Sequence, residues 1–155
     1  MASRPFLDFA YRLQRWLWRR LRPRTRGVKV MLFNNGGDLL LVRNSYGNSD
    51  AWVLPGGGIR PWEEPIAAAG REVREEIGVE ARDIRLTGTY HSRAEGKRDS
   101  IHLFTARSDE PIEIDDFEVA EARYFALDAL PDRLSPATAR RIAEHRGERL
   151  ADGNW

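Results

Sequence analysis

The chain has 155 residues, with 25 Lys and Arg against 24 Asp and Glu, a formal charge of +1. That length supports one domain around a single core, and 41% hydrophobic residues with five tryptophans exclude a disordered polymer. No cysteine is present, which excludes a disulfide scaffold, a thiolate zinc site and a cysteine nucleophile. No apolar run is long enough to span a bilayer. Charges interrupt every candidate signal core in the first 30 residues. A cytoplasmic location is therefore expected.

The charge is unevenly spread. Residues 1–26 hold Arg4, Arg12, Arg15, Arg19, Arg20, Arg22, Arg24 and Arg26 against Asp8 alone, and the remainder is net acidic. This marks residues 1–26 as a separate basic element. Phe6, Phe9, Ala10, Leu13, Trp16, Leu17 and Leu21 fall on one helical stripe, so an amphipathic helix is predicted over 5–21. Three uses stay open for it: packing on the domain or on a second copy in a homodimer, lying on a membrane surface, or contacting RNA.

Val28–Leu32 alternates as a strand does, and Asn34-Asn35-Gly36-Gly37 is a turn signal leading to a partner strand at Leu39–Val42. A polar loop over Asn44–Asp50 precedes a short predicted strand, Ala51–Leu54, ended by Pro55 and the run Gly56-Gly57-Gly58. A helix is predicted from about Glu64 to Ile77, with Pro65 in its first turn and Gly78 as its stop. Its apolar stripe reads Ile66, Ala69, Val73 and Ile77. Ile84–Tyr90 and Ile101–Ala106 read as a strand pair joined by the polar loop His91–Ser100, and Glu118–Phe125 as a later strand. Ser135-Pro136 is a helix start for residues 137–146. The main domain is expected over 27–148, with a loose tail at 149–155. Strands interrupted by helices make this an α/β layered domain.

The helix after the glycine run carries Glu72, Glu75 and Glu76 on adjacent turns. Like charges at that spacing repel and resist full ionisation. A divalent cation beside them removes the conflict, and clustered carboxylate oxygens suit Mg²⁺ or Mn²⁺ with a substrate phosphate. The local reading is a metal-assisted phosphate site, with the glycines allowing the backbone to approach phosphate closely.

The same stretch resembles the Nudix box, Gly-x5-Glu-x7-Arg-Glu-U-x-Glu-Glu-x-Gly-U, where U is bulky and apolar. Gly57, Glu63, Arg71, Glu72, Val73, Glu75, Glu76, Gly78 and Val79 fill every specified position. Seven fixed identities arise by chance at roughly one in 10⁸ per start position. The resemblance implies an α/β/α sandwich with a mixed central sheet. It also implies hydrolysis of a nucleoside diphosphate linked to another moiety, at a phosphoanhydride bond. It places metal on Glu72, Glu75 and Glu76, gives catalytic roles to Glu72, Glu75 and Arg71, and leaves Glu63 a structural one. A glutamate outside the box is a further candidate for the base, and Glu118 and Glu121 are the two at the right place in the chain, with Glu121 preferred. Arg43, Trp52, Gly56, Gly57 and Gly58 are the expected substrate contacts. Tyr46 and Tyr90 are weaker stacking candidates, and His91, His102 and His145 show no metal-ligand spacing. Two alternatives accompany the hydrolase reading: a non-catalytic nucleotide-sensing domain, and an enzyme removing a 5′ pyrophosphate from RNA through the basic N-terminus.

Overall fold

The protein was analysed as a computed structural model, which describes residues 24–47, 50–93, 98–114 and 118–155. The predicted N-terminal helix lies outside the described residues. Strand β1, Arg24–Phe33, is followed by β2, Leu39–Asn44. Helix α1 runs over Pro65–Ile77. Strands β3, Arg82–Ser92, and β4, Arg98–Arg107, come next, then β5, Val119–Phe125, and helix α2, Pro136–His145.

The strands form one sheet in the order β3-β4-β1-β2-β5. β1 runs parallel to β4, and the other neighbours are antiparallel, so the sheet is mixed. Alternation along the central strands divides the core in two. Val28, Val30, Leu32, Leu40, Val42 and Phe104 face one way and meet Ala68, Ala69, Val73 and Ile77 of α1. Met31, Phe33, Leu39, Leu41 and Leu103 face the other way and meet Ile142 of α2. The run Leu39–Val42 is apolar at every position because β2 is covered on both faces. The result is the expected α/β/α sandwich.

Both helix ends follow from their sequence. Ser135 accepts a hydrogen bond from the Thr138 N–H (3.2 Å), and Pro136 begins the first turn. Gly78 closes α1 at φ 72°, a left-handed conformation that glycine adopts without penalty.

Three expectations require correction. Residues 51–54 do not form a strand of their own. Val53 exchanges two 2.9 Å bonds with Val42, while Trp52 bonds to Arg133 and Ser135, so the segment divides its pairing between two neighbours. Ile66 is half exposed, and Ala68 takes the inward position on α1. The tail is tied down rather than loose. His91 donates to the Gly153 carbonyl (2.8 Å) and accepts from the Trp155 N–H (2.9 Å), and Trp155 lies edge-on to Tyr90. The fully buried Arg141 holds this closure by bonding the Asn154 carbonyl (2.9 Å) and Glu144 (2.7 Å) while lying over the Tyr90 ring.

The segment after Trp52 has a further consequence for the sheet. The Val30 N–H donates to the Pro55 carbonyl and the Val28 N–H to the Gly57 carbonyl, both at 2.9 Å. Residues 53–58 are thus wedged between β1 and β2, which pair directly only near Phe33 and Leu39. The wedge fixes the glycine turn against a buried strand.

Candidate active site

The glycine turn and α1 meet at the carboxylates. Gly56 sits at φ 136°, and a β-carbon there would fall 2.2 Å from the Val28 carbonyl oxygen. Its N–H donates to Glu76 Oε2 at 2.9 Å. A β-carbon on Gly57 would lie 2.6 Å from Glu72 Oε2. Both glycines therefore let the backbone come up against the acids of the box.

Arg71 organises the site. Its guanidinium bonds Glu63 in a two-pronged contact (2.7 and 2.9 Å), Glu72 (2.7 Å), Glu75 (3.0 Å) and the Gly58 carbonyl (2.9 Å). Such a fork fixes carboxylate geometry as well as charge. Glu63 in turn accepts from the Arg60 N–H (2.9 Å), which closes the turn before the helix. The Arg71 hydrogen bonds, followed by that backbone N–H, lower the Glu63 pKa to about 2.

The inward acids behave oppositely. Burial raises the Glu72 pKa against the pull of Arg71. Burial also pushes Glu76 up to about 7, opposed by the charge of Lys29 and the Gly56 N–H. The negative charges of Glu118 and of the neighbouring box acids add to both rises. Glu118 therefore shares an electrostatic site with Glu72 and Glu76. Glu75 is half exposed and lies between Arg60 (3.0 Å) and Arg71.

Glu121 is placed elsewhere. It is bonded by Arg43 through Nε (3.1 Å) and Nη2, and by Arg123 (2.7 Å). Arg43 lies 5.2 Å over Trp52, which packs edge-on against Phe125 in the core under α2. Arg43, Trp52 and Glu121 thus form one cluster on the sheet face away from α1. Tyr90 is buried beside the tail, His145 stacks on Phe33, and His102 on β4 bonds Thr89 on β3 (3.1 Å).

Lys29 is a site residue that sequence reasoning misses. Its Nζ bonds the Leu54 and Gly56 carbonyls (2.9 and 3.1 Å), pinning the wedge to β1. A lone cation within the apolar run Val28–Phe33 was the available signal.

Among the described residues no three acidic or imidazole side chains converge at coordination spacing. The Glu72 and Glu76 pair nevertheless fits a divalent cation. Both are hard oxygen donors whose ionised forms are disfavoured where they sit, and a cation would relieve that. Glu75 is instead held by Arg60 and Arg71.

The chain is similar to known proteins over most of its length. The model of the NUDIX domain matches residues 23–145. Diphosphoinositol polyphosphate phosphohydrolase 2 of Rattus norvegicus is 40% identical over 68 residues, covering 44% of this chain and 38% of that protein. An uncharacterized Nudix hydrolase of Pseudomonas aeruginosa is 33% identical over 103 residues, 64% of this chain and 61% of that protein. The chain spans less than two thirds of the length of either relative. The crystal structure of a MutT NUDIX hydrolase from Burkholderia pseudomallei shares the fold, with a TM-score of 0.69 at 22% identity, over 83% of this chain and 98% of that one. The domain match over most of the chain, carried by a complete box whose acids meet a glycine turn, makes this protein a member of the Nudix (MutT-like) hydrolase family.

Proposed function

We propose that the protein hydrolyses a phosphoanhydride bond in a nucleoside diphosphate linked to another moiety, using Mg²⁺ or Mn²⁺ held by Glu72 and Glu76. The observation that carries this reading is the pairing of those two partly buried carboxyls, both raised in pKa, over the backbone of Gly56 and Gly57. A divalent ion held there would supply charge neutralisation for phosphate oxygens and a lowered pKa for a bound water. The protein's own groups do the positioning. Arg71 holds Glu72 in register with the Gly58 carbonyl, and Lys29 keeps the Gly56 carbonyl from drifting. Glu118, outside the box and charged against the same pair, is the acid assigned to take the proton from the attacking water. Glu75, which is paired with Arg60 and Arg71, would be a third ligand.

Assaying pyrophosphatase activity against a nucleotide library with Mg²⁺ tests this directly. Glu76→Gln is expected to lower kcat by roughly 10³-fold, because several kcal/mol of charge stabilisation depend on the ion. Mn²⁺ binding to the same variant, followed by calorimetry, should weaken in parallel. Wild-type protein that turns over no member of the library in the presence of metal would overturn the reading. Tight nucleotide binding in that case would mark a sensing domain.

A further inference from the structure

The sheet carries a second concave site far from the box. A cavity of about 330 Å³ is walled by β3, β4 and the ends of β1 and α2, and its lining includes Phe33, Asp83, Arg85, Thr105, Arg107 and His145. Cavities that hold small ligands begin near this size, at about 300 Å³. The length of β1 separates it from the glycine turn. Gly27 bridges Gly58 near one end of the strand and Phe33 stands at the other, roughly 20 Å away at about 3.3 Å per residue. The cavity also lies on the opposite side of the sheet from α1. Met31 and Phe33 face α2, their register partners Thr105 and Arg107 share that face, and so does Arg85 opposite Thr105. The acids of the box have no access to it.

Its walls hold charges that the fold leaves unused. The neighbouring Arg82 is paired with Asp109 (3.6 Å). Among the described residues no acid pairs with Arg85 or Arg107, and no cation pairs with Asp83. Asp83 is brought to the cavity by the backbone. The register of β3 on β4 slips between Arg82 and Arg85, and Asp83 takes a left-handed φ of 52°. Such slips re-aim side chains and recur beside functional sites, and aspartate is among the few side chains that tolerate this φ. His145 is the last residue of α2, and its ring lies on Phe33 with centroids 5.0 Å apart and 27° between planes. The residue is exposed, which leaves the side of the ring away from Phe33 to the cavity.

Each wall suits a different part of one ligand. Two guanidiniums outweigh one carboxylate, and their forked donors match phosphate oxygens. A carboxylate accepts from hydroxyl groups. An imidazole face backed by a second ring stacks on a nucleobase. The negative end of α2 lies at His145, which directs the phosphate to the strands and the base to the helix. We propose that this cavity binds a nucleoside 5′-monophosphate, with its phosphate on Arg85 and Arg107, its ribose hydroxyls on Asp83 and its base on His145. The site is separate from the hydrolase reading and stands or falls without it.

The test titrates the ¹⁵N-labelled 155-residue chain, free of metal, with adenosine 5′-monophosphate while amide shifts are followed. Shifts at Asp83, Arg85, Thr105 and Arg107 are expected to saturate together. Arg85→Gln/Arg107→Gln should weaken binding roughly tenfold or more, since two charge-assisted bonds are lost. Both positions are exposed, so its Tm should stay near that of wild type. His145→Ala should weaken the nucleotide several-fold and leave ribose 5-phosphate unaffected, because only the base is stacked. Adenosine and inorganic phosphate should each bind roughly tenfold more weakly than the nucleotide. No saturation at millimolar nucleotide, shifts confined to residues 56–76, inorganic phosphate bound as tightly as the nucleotide, or wild-type affinity in the double variant would each overturn the site. If the double variant does not fold, His145→Ala decides: a loss confined to the nucleotide supports the site, and equal affinity sinks it. The probe has no anhydride bond and metal is absent, so either result leaves the hydrolase reading to its own assay.

Discussion

Two adjacent glycines in this protein have different work, and substitution should separate them. Gly56→Ala brings a methyl group onto the Val28 carbonyl in a backbone conformation that side chains avoid. It is expected to cost about 3 kcal/mol, a drop in Tm of roughly 10 °C for a domain this size. Gly57→Ala meets only the end of the Glu72 side chain. Its melting temperature should stay within about 3 °C of wild type, while Mn²⁺ binding falls by about tenfold because the ligand is pushed aside. Calorimetry of both variants checks the pair, and the reverse pattern would show that the turn has been misassigned. The acids make a second contrast. Glu76 is raised to about 7, so metal-free stability from its protonation is complete below about 4.5 and is lost as pH rises through 7. Glu63 is lowered to about 2, so its contribution is present above about 4.5 and is lost as pH falls toward 2. Thermal melts between pH 5 and 8 should therefore show a Mg²⁺-induced rise in Tm that grows with pH. A rise that is flat across this range would mean that Glu76 does not meet the ion. The identities of the site acids were legible in the sequence because spacing on a helix fixes which residues are neighbours. Which of Glu118 and Glu121 faces the box was not legible. A register irregularity between Arg43 and Asn44 lies where β2 meets β5, and alternation cannot be counted through it.

Among the elements, α1 was readable at both ends because Pro65 and Gly78 act locally. Its buried face departs from the hydropathy pattern at one position: Ile66 is half exposed, and Ala68 is buried beside Ala69, Val73 and Ile77. The wedge at 53–58 and the tail were missed for another reason: each is held by bonds to distant backbone, which leave no trace in neighbouring residues. The tail bonds can be tested. Trp155→Ala removes the edge contact with Tyr90 and loosens the lid over Arg141. It should cost about 1–3 kcal/mol in denaturant unfolding, with faster amide exchange at His91. No change in either would mean that the closing contacts are marginal in solution.

On the scale of the molecule, patterning gives an α/β layered domain, the family resemblance sharpens it to a sandwich, and the strand apolar at every position is covered on both sides. Among the described residues no helix is long and apolar enough to cross a membrane. What patterning could not give was the order of strands, because β1 lies beside β4 and its closest partner in sequence is pushed away. That neighbour relation has a practical corollary. A piece of the polypeptide covering residues 24–80 would contain the entire signature by which the family is identified. It would still lack the strand that pairs along the whole of β1, for that companion is not complete until residue 107. Newly made enzyme should thus stay inert until most of its length has left the ribosome, and gene fragments bearing the motif should encode material with neither shape nor metal affinity.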